Sequence, residues 1–284
     1  LKTVSAITIH AKVVVKNKRG KVLADRTHIF FTTTLACNCN CAYCFEGKNV
    51  KEEKSSYDWF VEFAKKALIK NNSDELLLDF FGGEPMLKWN KLIEIMEELI
   101  RFGKKEKNGF CLDFIQTENI KQQNTFFFKR AKKYIKDLQI TIDGPKEIHD
   151  KRRPLKIKRS AFDEIIKNIN LLYKNNVPVK IRINVDKENV SEIPKLLQDL
   201  KKYIWYSYIP IYFYRVQNLG ETCSGYRSFL NDPQAGVEFK KLWTLALEQG
   251  FNITTKPNIK FVYCSSFNEN SYVVDYKRNL YKCA

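Results

Sequence analysis

Histidine is nearly missing from this chain: three residues in 284, against eight cysteines. None of His10, His28 or His149 falls within the densest run of cysteines, which argues against the paired Cys/His spacing of a zinc finger. No apolar stretch is long enough to span a bilayer. No signal-peptide pattern opens the chain, so the expected location is the cytoplasm, where thiols stay reduced and serve metals or catalysis. Acidic residues are also in deficit, 32 against 49 Lys and Arg, for a formal charge of +17. That excess suits nucleic acid in principle. The lysines are dispersed in pairs such as Lys65–Lys66, Lys104–Lys105 and Lys201–Lys202, and no basic run is interleaved with aromatics. A nucleic-acid partner is therefore disfavoured, and an acidic peptide or an acidic electron donor suits the surface better. Internal repeats and low-complexity linkers are absent. Hydrophobic residues at 44% and charged residues at 29% read as a globular chain that can bury a full core.

What is present is an alternation of strands and helices. Residues 6–16 and 21–34 read as strands around a turn at Asn17–Gly20, an N-terminal hairpin extension over 1–27. Further strands are expected at 28–34, 75–81, 110–116, 137–142, 179–186 and 207–215, and helices near 57–71, 88–105, 122–134, 161–175, 190–203 and 234–249. Phe162, Ile165, Ile166, Ile169 and Leu172 form one helical stripe. Six strands alternating with helices predict an α/β fold with a parallel sheet and right-handed crossovers, as an open sheet or a partial (β/α)6 barrel over 28–250. Residues 216–233 read as an irregular loop, and 251–284 lose the alternation and read as the start of a further domain.

Four cysteines, Cys37, Cys39, Cys41 and Cys44, crowd into the loop after the strand at 28–34. Three thiolates from one short loop can hold three irons of a cubane and leave the fourth open, as a catalytic metal site requires. A non-enzymatic zinc or iron–sulfur site is the alternative. The other motifs also sit at the C-terminal ends of expected strands, the edge where parallel α/β folds place their sites. They are Gly82-Gly83-Glu84-Pro85, Gln116-Thr117-Glu118-Asn119, Thr141-Ile142-Asp143-Gly144-Pro145 with His149-Asp150-Lys151-Arg152-Arg153 behind it, and Arg182 with Asn184 on one strand face. Paired glycines let a backbone approach a ligand closely. An arginine can clamp a carboxylate bidentately, with Asn184 free to bond a ribose.

Cys37-x3-Cys41-x2-Cys44, with Tyr43 before the last cysteine, is the signature of the radical S-adenosylmethionine (SAM) superfamily, and the chain resembles that superfamily over roughly 28–284. The resemblance implies that Cys37, Cys41 and Cys44 ligate a [4Fe–4S] cluster, with Cys39 extra to the pattern. It implies that Tyr43 lies near the adenine and that Gly82, Gly83 and Glu84 hold the SAM amino group. Thr141 keeps the hydroxyl of a Ser-Ile-Asp-Gly-Pro stretch found in enzymes of this kind that act on peptides and proteins. Glu118 and Asn119 depart from the usual Thr-Asn-Gly, and His149 reads more readily as structural than as an acid–base group.

In the tail, Cys264 and Arg278-Asn279-Leu280-Tyr281-Lys282-Cys283 resemble the opening of a SPASM or twitch domain, with Arg278 at a glycine position. That implies a C-terminal extension truncated in this chain, with Cys264 and Cys283 as ligands of an auxiliary iron–sulfur cluster completed by later cysteines. The activity implied is reductive cleavage of SAM to a 5′-deoxyadenosyl radical that takes hydrogen from a peptide or protein, with flavodoxin or ferredoxin as electron donor. A sulfatase-maturating, formylglycine-generating activity and an RNA-modifying one are alternatives. No residue is assigned as the general base.

Overall fold

A computed structural model describes residues 7–14, 26–46, 56–73, 75–106, 135–217, 225–253 and 268–282. The strand and helix expected at 110–116 and 122–134, the turn at 17–20, and Cys111, Cys223, Cys264 and Cys283 lie outside these residues. The chain divides into two compact units: Leu1–Ile7, Leu35–Lys51 and Leu138–Ile259, and Thr8–Thr34, Glu52–Asp137 and Lys260–Ala284.

In the second of these, β2 (Arg26–Thr34) and β3 (Glu75–Gly82) run parallel, in register from Arg26 opposite Glu75 to Phe31 opposite Phe80. β2 alternates, with Thr27, Ile29, Phe31 and Thr33 buried and the residues between them half-exposed, as a period of two requires. Its buried face meets α1 (Asp58–Lys70), where Phe31 stacks on Phe60 with ring centroids 3.9 Å apart. α2 (Trp89–Glu106) buries Leu92, Ile93, Met96, Leu99 and Ile100 on one stripe.

The expected N-terminal hairpin is corrected here. β1 (Ile7–Val14) pairs antiparallel with β3, Ile9 opposite Phe80, while β2 lies on the other side of β3. β1 thus brings an antiparallel pairing beside the parallel pair of β2 and β3. Two strands from residues 251–284 also join this sheet. β7 (Ser271–Asp275) pairs parallel with β2, and β8 (Leu280–Tyr281) folds back antiparallel on β7. The turn between them puts Arg278 at φ 72°, the left-handed conformation for which glycine is the usual residue. The Asp275 carboxylate holds that turn by accepting from the N–H groups of Lys277 and Asn279, at 2.9 and 2.8 Å.

In the other unit, β4 (Ile135–Thr141), which enters it at Leu138, is a parallel neighbour of β5 (Val179–Val185), and β5 of β6 (Ile211–Arg215). A short helix not expected from the sequence, α3 (Lys146–Arg152), follows β4. α4 (Ala161–Lys174) buries the five stripe residues named above, and Ser160 caps it by accepting from the Asp163 N–H at 3.1 Å. Each such side chain contributes about 1.5–3 kcal/mol on burial. The helix expected over 190–203 shortens to α5 (Ile193–Leu200), with Pro194 in its first turn. α6 (Asp232–Glu248) starts at a capping box formed by Asn231 and Gln234. Among the described strands no closed barrel forms, and among the described residues no helix is long and apolar enough to cross a membrane.

Candidate cofactor site

The cysteine loop leaves β2 and is held from one side by the last residue of α3 and the segment after it. Asn40 N–H donates to the Pro154 carbonyl at 3.0 Å, Lys156 N–H to Asn38 at 2.8 Å, and Ala42 N–H to Arg152 at 3.4 Å. Cys39 forms an isolated antiparallel bridge with Leu155. Its thiol is buried and donates to the Arg153 carbonyl at 3.4 Å. Cys39, extra to the Cys-x3-Cys-x2-Cys spacing, is thus built into the loop's backing. Cys41 is buried, and Cys37 and Cys44 are half-buried. The neighbouring Cys39 thiol and the Arg153 charge, opposed by burial, lower the Cys41 thiol to about 7, toward the thiolate that ligates metal. Burial pushes Cys44 up. The donor chemistry of the loop fits an iron–sulfur cluster. Among the described residues, however, no three His, Cys, Asp or Glu side chains are drawn together as a metal-ligand set.

Tyr43 anchors the loop inward. Its hydroxyl donates to Asp143 Oδ2 and accepts from Arg153 Nη1 and from Asn184 Nδ2, the last at 3.2 Å. Burial pushes this phenol well above the usual tyrosine range, so it remains a donor to Asp143. Asp143 Oδ1 accepts from the Asn184 N–H at 3.0 Å, and Asn189 Nδ2 bonds the carbonyls of Asp143 and Asn184 at 2.6 and 2.7 Å. Arg182 Nε donates to Asn184 Oδ1 at 2.7 Å, and its guanidinium lies 3.8 Å from the centre of the Tyr214 ring. Thr141, buried, is in register with Arg182. Tyr43, Asn184 and Arg182 are therefore connected, although 141 residues separate Tyr43 from Asn184 in sequence.

Arg152, Asp186, Asn189 and Tyr226 carry no role in the sequence reading. Arg152 grips Asp186 with both Nη groups, at 3.0 and 2.6 Å, and reaches Glu188 at 3.1 Å. Its guanidinium lies 5.0 Å from the centre of the Tyr43 ring. Its signal in the sequence is its place in the stretch His149-Asp150-Lys151-Arg152-Arg153 behind β4. Nothing local marked Asp186 or Asn189.

His149 is fully buried, and its Nδ1 accepts from the Asp143 N–H at 3.1 Å, which agrees with the structural reading. Burial first, then the Arg153 charge, lowers it from the ordinary 6.5 to about 3. The unfolded chain then binds a proton below about 6.5 that the folded chain refuses, so stability is complete above 6.5 and falls as pH drops. We expect this group to remove about 1.4 kcal/mol per pH unit on acidification below 6.5. Urea unfolding at pH 7.5 and 5.5 should show the loss in the wild type, and His149→Gln should reduce it.

In the unit of β2 and β3, Gly82 has φ 124°, and a Cβ there would stand 2.2 Å from the Thr34 carbonyl oxygen. Gly83 N–H donates to that same carbonyl at 2.8 Å. Glu84 is fully buried and caps the 3-10 turn Pro85–Lys88 by accepting from the Met86 N–H at 2.9 Å. Gly82→Ala should destabilise the protein by about 3 kcal/mol through strain and clash together. An unchanged urea midpoint would remove the close packing as the reason for this glycine.

A family described as "4Fe-4S single cluster domain" matches residues 26–166. The cysteine-type anaerobic sulfatase-maturating enzyme of Clostridium novyi is 30% identical over 175 residues, covering 58% of this chain and 45% of that protein. The radical SAM cyclopropyl synthase TigE of Paramaledivibacter caminithermalis is 25% identical over 155 residues, covering 49% of this chain and 31% of that protein. The fold resembles the solved structure of native anSMEcpe with bound AdoMet and Cp18Cys peptide, at a TM-score of 0.64 and 19% identity, covering 91% of this chain and 74% of that one. The chain spans about half the length of the curated relatives it matches, 58% and 45% of the first two. An α/β fold with a cysteine loop after a parallel strand, together with these matches, points to the [4Fe–4S] and SAM class. The matches support the radical SAM/SPASM-related superfamily, with a [4Fe–4S] cluster and SAM as the cofactors.

Proposed function

We propose that this protein is a radical SAM enzyme that modifies a peptide or protein. The observation that carries the reading is the Cys37-x3-Cys41-x2-Cys44 loop, backed by residues 152–156 and anchored through Tyr43 to Asp143, Arg153 and Asn184. In this reading Cys37, Cys41 and Cys44 hold the cluster, and Tyr43, Gly82, Gly83, Glu84, Thr141, Arg182 and Asn184 bind SAM. Cluster and SAM together supply hydrogen-abstracting radical chemistry. The chain's own part is positional: protonated Tyr43 and the Asn184–Arg182 pair fix the loop and the β5 edge. Residues 28–250 form the core in this reading, and 251–284 begin an auxiliary-cluster region with Cys264 and Cys283, fed by an electron donor in the cytoplasm.

Anaerobically reconstituted protein, reduced with dithionite, should convert SAM to 5′-deoxyadenosine. Iron-loaded protein that forms none would leave a non-enzymatic iron–sulfur protein. A sulfatase-maturase activity is favoured by the names of relatives such as the Clostridium novyi enzyme and the serine-type enzyme of Bacteroides thetaiotaomicron. Mass spectrometry of a cysteine-containing sulfatase peptide incubated with the full-length protein tests it. Formylglycine supports that reading, and an unmodified peptide alongside SAM cleavage points to another peptide.

A further inference from the structure

Lys151 to Arg159 holds six basic residues and no acidic one, a density the rest of the dispersed charge does not match. The fold sorts them. Arg152 and Arg153 are buried, whereas Lys151, Lys156, Lys158 and Arg159 are exposed. Ile157 stands among them with 59% of its surface exposed. Arg159 N–H closes back on the Ile157 carbonyl at 2.8 Å, so residues 157–159 make a tight turn. This is the continuation of the segment that backs the cysteine loop. Lys156 N–H donates to Asn38, the residue between Cys37 and Cys39.

We propose that this basic turn is the docking surface for an acidic one-electron carrier protein. The inference rests on the reading that Cys37, Cys41 and Cys44 hold the cluster. A [4Fe–4S] cluster must receive its electron from outside, and electron tunnelling falls steeply with distance, so a carrier has to seat close to the loop. The turn is one hydrogen bond from it. Four exposed cations on a short segment steer an acidic partner and raise its encounter rate. One exposed isoleucine suits the small, transient interface of redox partners. An extended acidic peptide would want a groove or a free sheet edge, and this surface is a turn with a single apolar side chain. The step balances as one electron: the carrier is oxidised by one, the cluster is reduced by one, and no bond or proton changes place.

The test is stopped-flow reduction of the reconstituted cluster by a reduced acidic flavodoxin as probe, in wild type and in the variant K156E/K158E/R159E. The substitutions leave the backbone bond to Asn38 available. At low salt the variant should be reduced about 10–100-fold more slowly than wild type, and the wild-type rate alone should fall steeply with added salt. The neutral variant K156Q/K158Q/R159Q should lie between them. Dithionite, which needs no docking, should drive equal 5′-deoxyadenosine formation in all three. Equal reduction rates by the carrier, or loss of acidic-peptide binding with carrier reduction intact, would overturn the proposal. Absence of 5′-deoxyadenosine from dithionite-reduced wild type would instead sink the enzyme reading, while the reduction rates would still report on docking.

Discussion

Alanine at Cys37, Cys41 or Cys44 should remove SAM cleavage by about a thousandfold or more, because each substitution takes one of the three thiolates from the proposed cluster. Alanine at Cys39 should leave cleavage and iron content close to wild type. Its thiol is buried and donates to the Arg153 carbonyl at 3.4 Å, on the side where the loop meets residues 152–156. Losing that weak bond should cost about 1 kcal/mol of stability. The measurements are 5′-deoxyadenosine yield, iron per chain and the urea midpoint for all four variants. Full iron loading in Cys41→Ala, or its loss in Cys39→Ala, would reassign the ligands.

Asp186→Ala should be the most destabilising substitution in the unit that holds the cysteine loop. Asp186 is fully buried, and its carboxylate accepts from both Nη groups of Arg152 and from the Tyr226 hydroxyl. Removing it leaves a buried guanidinium whose remaining acidic partner, Glu188, has a side chain 47% exposed and screened by water. Breaking a buried pair by deleting one partner costs about 3–5 kcal/mol, whereas replacing both by apolar groups is often near neutral. The double variant R152M/D186L should therefore recover most of the loss, and urea unfolding of the single and double variants measures it. Because Arg152 also lies against the Tyr43 ring, Asp186→Ala should raise the SAM concentration needed for half-maximal cleavage. A double variant no more stable than the single one would show that packing around the pair, and not its charge, holds this region.

Acidification and Gly82→Ala probe smaller, separate features, one a buried neutral imidazole and the other a backbone contact with Thr34. Both residues stood in motifs the sequence already displayed. What the motifs did not display was the consequence of packing: His149 faces the Asp143 amide, and Gly82 leaves no room for a side chain.

The sequence by itself determined what depends on near neighbours along the chain. The cysteine spacing is enough to propose the chemistry of the loop, because ligand reach is a matter of a few residues. The 3.6-residue stripe of Phe162 to Leu172 fixed a helix and its buried face, because one turn brings those side chains together. The β5 alternation put Arg182 and Asn184 on one face, where they bond at 2.7 Å. Tertiary structure decided what depends on distant pairing. Whether β1 joins β2 or β3 is a contest between sheet edges that local pattern cannot rank, and β3 is the partner. The tail's apolar Val273 and Val274 are too short a run to announce a strand, and they become one only against β2. Of six basic residues in nine, two turn inward because buried Asp143 and Asp186 await them, and the others remain in water. Charge along a sequence is the same for all six. Only the fold supplies the low-dielectric site and the carboxylate that make a buried arginine stable.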